Sequence, residues 1–150
     1  MKIIDIQDKI IDIISNNANV ENTLQKICDY LKAEIEHYDW VGFYFKNGEK
    51  LELKLAQFAG KPTEHTIIPF GKGICGQVAV SNENFVVQDV NEQDNYISCG
   101  FEVKSEIVIP IFKNGENIGQ IDIDSHHVRP FTKKDEELLE FVCEKVSNLI

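Results

Sequence analysis

Basic residues are scarce in this sequence. Fifteen Lys and Arg stand against 25 Asp and Glu, a formal charge of -10 over 150 residues. Nucleic acid and anionic membrane both demand clustered cations, so neither is an expected partner. No apolar run is long enough to span a bilayer. Acids interrupt Met1-Lys2-Ile3-Ile4-Asp5, where a signal peptide needs an unbroken apolar stretch. The expected location is therefore cytoplasmic, and in that reducing compartment cysteines are expected to be free or catalytic rather than bridged. Cys28, Cys75, Cys99 and Cys143 contain no CxxC pair, and no His/Cys cluster has zinc-site spacing. No structural metal and no cofactor are expected. Internal repeats and low-complexity segments are absent too, and the length suits one domain, 1–150, with a full core.

What is present is periodic. Ile3, Ile6, Ile10, Ile13 and Ile14 recur at helical spacing, and Ser15-Asn16-Asn17 ends the pattern. Leu24, Ile27, Cys28, Leu31 and Ile35 form a second stripe, which makes Cys28 a small core residue. From Trp40 the period changes to two. Trp40-Val41-Gly42-Phe43-Tyr44-Phe45 and Leu51-Glu52-Leu53-Lys54-Leu55 flank Asn47-Gly48, a hairpin signal. Trp40, Gly42 and Tyr44 share a face. The missing side chain of Gly42 predicts either a shallow slot between two aromatics or an ordinary aromatic core face.

His65 to Ile68 reads as a short edge strand stopped by Pro69, followed by a helix from about Ile74 to Val80 and a short buried strand at Phe85-Val86-Val87. Asp89 to Lys104 is long, polar and without period, as functional loops tend to be. A second hairpin, Ile107 to Phe112 and Ile118 to Ile123, surrounds Asn114-Gly115. Thr132-Lys133-Lys134-Asp135 resembles a capping box opening a last helix on Leu138, Leu139, Val142, Val146 and Leu149, with Cys143 beside the stripe. Consecutive hairpins with helices at both ends predict an α+β domain, an antiparallel sheet covered by helices on one side.

Two cysteines and three acids remain to be explained. Gly71-Lys72-Gly73-Ile74-Cys75-Gly76 matches G-x-G-x-x-G, but Pro69 interrupts the strand that a dinucleotide fingerprint requires, and no P-loop Lys-Ser or Lys-Thr follows. The glycines instead place Cys75 in a helical first turn, where backbone N–H groups are expected to lower the thiol pKa; a buried, inert Cys75 is the alternative. Cys99 lies among polar loop residues, so it is a candidate reactive thiol or a merely exposed one. The acids depend on register. A two-residue Asn114-Gly115 loop sets Glu106 opposite Ile123, away from both aspartates, whereas a three-residue loop with a bulge at Gly115 sets Glu106 opposite Asp122, with Asp124 further along the same face. Three clustered carboxylates can hold an ammonium, and their repulsion can keep one protonated as a proton donor. A thiol beside such an acid suits sulfoxide reduction. The other reading is solvent-facing acids on a half-exposed sheet.

With these segments in order, Trp40 to Tyr44, Pro69 to Gly76, Ile97-Ser98-Cys99, Lys104 to Val108 and Ile121 to Ser125, the chain resembles a GAF domain. Within that superfamily it resembles the free methionine-(R)-sulfoxide reductases, over roughly Trp40 to Phe131. The resemblance implies a GAF-like sheet with N- and C-terminal helices on one face and a loop-built pocket on the other. It implies Cys99 as nucleophile, Cys75 as resolving thiol, and Glu106, Asp122 and Asp124 binding the substrate ammonium and protonating its oxygen. Trp40 and Tyr44 would line the pocket, and thioredoxin or a similar dithiol would reduce the disulfide; a homodimer is a possible assembly. Many members carry a further cysteine where this chain has His65, and Gln77-Val78 replaces a common Thr-Ala, so the pattern is a two-cysteine version. His65 itself reads as a strand-edge residue. A non-catalytic GAF sensor of a small ligand and a thiol redox switch are the competing functions.

Overall fold

The computed structural model describes residues 2–93 and 102–150. The isoleucine stripe becomes α1, Ile3–Ser15, with Ile6, Ile10 and Ile13 turned inward. Isoleucine is only a middling helix former, so packing holds this helix; burying each such side chain stabilises by about 1.5–3 kcal/mol. The second stripe is α2, Val20–Glu34, where the Asn19 side chain accepts from the Asn22 amide at 3.0 Å and caps the first turn. Cys28 is fully buried in that stripe, and burial, then the nearby Asp29 charge, pushes its thiol pKa up.

Among the described residues six strands follow: β1 Trp40–Lys46, β2 Glu52–Ala59, β3 Ile67–Pro69, β4 Phe85–Val87, β5 Ser105–Lys113 and β6 Glu116–Ser125. They form one sheet in the order β3-β2-β1-β6-β5-β4, every neighbouring pair antiparallel. The fold is the expected α+β arrangement, an antiparallel sheet with the N- and C-terminal helices on one face. On one face Val41, Phe43, Ile107, Ile109, Ile111, Ile121 and Ile123 pack against α1, α2 and α4 (Lys133–Ser147). On the other, Trp40, Tyr44 and Val108 meet α3, Gly73–Ser81, and the loops around it. Strand alternation thus divides one sequence between a helix-covered core and a site.

Helix α4 opens on the expected capping box: Thr132 Oγ1 accepts from the Lys134 amide, and Asp135 Oδ2 accepts from the Thr132 amide at 2.8 Å. Asp135 is also buried under Tyr38, whose hydroxyl donates to its Oδ1 at 2.8 Å, and stands 2.9 Å from His37 Nε2. Burial opposes its ionisation, yet His37, the Thr132 backbone and Tyr38 hold the carboxyl below the usual aspartate range. Cys143 is core, its Sγ 3.6 Å from the Ile109 carbonyl. Leu149 falls beyond the helix end and is only half-buried.

Both hairpins differ from expectation. The first turn is longer than Asn47-Gly48, since Lys46 pairs with Leu53 and β2 runs on to Ala59. The second has neither expected register. Asn114 and Gly115, at φ +53° and +79°, make a two-residue turn that pairs Lys113 with Glu116. Then β6 inserts Ile118 as a bulge, so Phe112 pairs with Asn117 but Ile111 with Gly119. Asn117 holds the bulge: its Oδ1 accepts from the Gly119 amide at 3.2 Å, and its Nδ2 donates to Asn82 Oδ1 at 3.0 Å. Glu106 consequently lies opposite Asp124, not Asp122 or Ile123. In the short β4 strand only Val87 is buried, and Phe85 and Val86 are half-buried, because β4 is the sheet's edge. Among the described residues no helix is long and apolar enough to cross a membrane.

Candidate active site

The turn before α3 needs its glycines. Gly71 and Gly73 sit at φ +88° and +64°, which L side chains rarely adopt. A Cβ at Gly76 would stand 2.7 Å from the Pro69 carbonyl oxygen. The Gly71 amide donates to the Gly76 carbonyl at 2.8 Å and folds the turn back on the helix. Cys75 is thereby driven onto the sheet, where Gln120 Nε2 donates to its carbonyl at 3.1 Å. Its Sγ lies 3.8 Å from Glu106 Oε2.

The bulge at Ile118 sets Glu106, Val108, Gln120, Asp122 and Asp124 on the face turned toward Cys75. The three acids cluster as the sequence requires for a site, but they are buried, not solvent-facing: Glu106 is 6 % exposed, Asp122 and Asp124 each 3 %. Burial raises the pKa of Asp122, against which its hydrogen bonds with Glu106 and Cys75 pull. Asp124 is pushed well above the aspartate range by burial and by the charge of Asp122. Burial and mutual proximity thus favour the protonated form of these carboxyls over that of free aspartate.

Cys75 corrects one expectation. Burial, then the charges of Asp122, Glu106 and Asp124, push its thiol well above the ordinary value. A helix N-terminus contributes about 0.3–1 kcal/mol, which loses to desolvation and three acids together.

Gly42 decides between its two readings in favour of an aromatic core face. The slot between Trp40 and Tyr44 is filled by the indole itself, since a Cβ at Gly42 would stand 2.3 Å from Trp40 Cη2. The Trp40 ring stacks on Phe58 at 5.6 Å between centroids and 16° between planes, and its Nε1 donates to the Lys61 carbonyl at 2.9 Å. Tyr44 donates from its hydroxyl to the His65 carbonyl at 2.7 Å. Both aromatics are therefore pinned to the loop between β2 and β3. Trp40 lines an open cleft of about 610 Å³ with Asp124, Glu102, Val103 and His126. Tyr44 lines a small cavity of about 20 Å³ with Cys75, Glu106, Asp122 and His65.

Sequence reasoning missed the cleft's rim. Lys61 Nζ lies 3.0 Å from Glu102, and His126 stands 3.6 Å from both Asp39 and Glu102. One signal was available: the period-two row Asp122, Asp124 extends to His126. Gln120, also missed, is the row's other extension. His65 stands just before β3 rather than in it, and its place beside Cys75 in the small cavity was not foreseen. Cys99, the expected nucleophile, lies outside the described residues; Glu102 and Val103, just after them, line the cleft with Asp124.

The GAF domain profile matches residues 19–150. The free methionine-R-sulfoxide reductase of Saccharomyces cerevisiae is 37 % identical over 132 residues, covering 87 % of this chain and 73 % of that protein. Among solved structures, the type II free methionine-R-sulfoxide reductase of Thermoplasma acidophilum is 38 % identical, covers 87 % of this chain and 91 % of its own, and superposes with a TM-score of 0.83. The Neisseria meningitidis free methionine-R-sulfoxide reductase, solved in complex with its substrate, is 31 % identical over 98 % of this chain and 87 % of its own, with a TM-score of 0.92.

Proposed function

The chain belongs to the GAF domain family, in the group that holds the free methionine-R-sulfoxide reductases, and from that premise we propose that it reduces free methionine-(R)-sulfoxide to methionine as a single domain spanning 1–150. The observation that carries the proposal is the buried trio Glu106, Asp122 and Asp124 on one sheet face, Glu106 and Asp122 lining a small cavity with Cys75 and Asp124 lining the Trp40 cleft. Buried carboxylates are costly to keep unless something cationic or protonic uses them. A free amino acid brings an ammonium, and a sulfoxide takes up a proton as its oxygen leaves.

In the proposed reaction the Cys99 sulfur attacks the sulfoxide sulfur while a protonated acid of the trio donates to the oxygen. The oxygen ends on Cys99 as sulfenic acid, and methionine leaves. The Cys75 thiol then attacks the Cys99 sulfur, forming a disulfide and releasing water. Because burial and the acids raise the Cys75 pKa, a carboxylate of the trio takes the thiol proton as the sulfur attacks. A dithiol such as thioredoxin returns both cysteines to thiols. Peptide-bound sulfoxide, lacking a free ammonium, is excluded.

The test supplies the R and S epimers separately, with thioredoxin as donor. Methionine is expected from the R epimer alone. Cys99→Ser should abolish release, and Cys75→Ser should give about one turnover and then stall. Full turnover in both variants would reject the mechanism.

A further inference from the structure

The small cavity offers chemistry that the reductase reading does not use. Cys75, Glu106 and Asp122 each present one ligand atom, all within 4.8 Å of one another. The cavity they wall, about 20 Å³, has room for one water-sized occupant. Asp122, which lines the cavity and is 3 % exposed, has its Oδ1 buried without a hydrogen-bond partner. An orphaned carboxylate oxygen beside a thiol and a second carboxylate marks a position where positive charge is wanted.

We propose that reduced Cys75, Glu106 and Asp122 together bind one thiophilic divalent cation, zinc first, and that this occupancy closes the site. One sulfur and two oxygens leave a fourth tetrahedral position open, which suits zinc; magnesium and calcium demand six or more oxygens. Zn–S near 2.3 Å and Zn–O near 2.0 Å set the sulfur and oxygen about 3.5 Å apart. The 3.8 Å from Cys75 Sγ to Glu106 Oε2 needs only a few tenths of an ångström of contraction. Binding expels the thiol proton and any proton shared by the carboxylates, so affinity rises with pH. The binding site stands independently of the proposed activity. Its consequence rests on that activity: the metal would displace the substrate ammonium from Glu106 and Asp122 and withhold Cys75 from disulfide formation.

The test titrates the reduced full chain with zinc by calorimetry at two pH values about one unit apart, and with cobalt(II) by absorbance. One equivalent is expected, bound more tightly and with proton release at the higher pH, and cobalt should show a thiolate charge-transfer band. Cys75→Ser should remove the band and weaken zinc about 100-fold, and Asp122→Asn and Glu106→Gln should each weaken it at least about 10-fold. Cys99→Ser should keep both stoichiometry and band. Circular dichroism confirms that each variant is folded, and Glu106→Gln carries the carboxylate test if Asp122→Asn is not. Absence of stoichiometric binding, retention in Cys75→Ser with loss in Cys99→Ser, or unchanged affinity in the folded carboxylate variants would overturn the proposal.

Discussion

Asp124→Asn removes one charge from the buried trio without changing its shape. Asp124 and Asp122 stand two residues apart on one strand, about 6.6 Å at the usual rise. If both are ionised, two charges so placed repel by about 2.5 kcal/mol at an effective dielectric constant of about 20. Salt screens buried charges poorly, so the effect should survive ordinary buffers. The sign follows from linkage. Burial and the Asp122 charge raise the folded pKa of Asp124, whereas in the unfolded chain it titrates near 3.9. Its contribution to stability is fully present below that unfolded value and is lost as pH rises through the folded one. Wild type should therefore lose stability through this group as pH rises above about 3.9, and Asp124→Asn should not. At about pH 8 the variant should melt about 5–10 °C higher, since 1 kcal/mol moves a domain of this size by about 2–4 °C. At about pH 3.5, below the unfolded value where both states hold the proton, the gap should close. The assay is thermal unfolding of both proteins by circular dichroism across that range. A variant that melts lower than wild type at about pH 8, or a gap that widens toward acid, would refute the account of the trio as charges kept at a cost for function.

Other outcomes follow from single contacts. Gly42→Ala should force the Trp40 indole off Phe58, costing about 1–3 kcal/mol of stability and raising KM more than it lowers kcat; unchanged melting and kinetics would show that the indole moves freely. In a Cys99→Ser background, iodoacetamide should label Cys75 slowly near neutral pH and faster as pH rises well past the ordinary thiol range; rapid labelling near neutrality would contradict the elevated pKa. Cys28→Ala and Cys143→Ala should each lower stability by about 1 kcal/mol and leave turnover and its recycling intact, checked by melting and by methionine release with a dithiol donor.

Much of the fold is readable because its rules are local. The Ile6, Ile10, Ile13 stripe, the capping box at Thr132 and Asp135, and the switch to period two at Trp40 each depend on residues within a few positions. Alternation along β6 is enough to place Asp122 and Asp124 on one face and Ile121 and Ile123 on the other, whatever lies opposite. The partner across the sheet is another matter. Glu106 meets Asp124 because Asn117 ties down a one-residue bulge through Asn82, a contact from a distant segment. The same holds for the slot that Trp40 fills and for the rim joining Lys61, Glu102 and His126. The ionisation of Cys75 inverts for this reason too: a helix end acts on it locally, but burial and charges from two other strands decide the outcome. Side-chain direction is a property of one strand, whereas electrostatic energy sums over every charge that folding brings near.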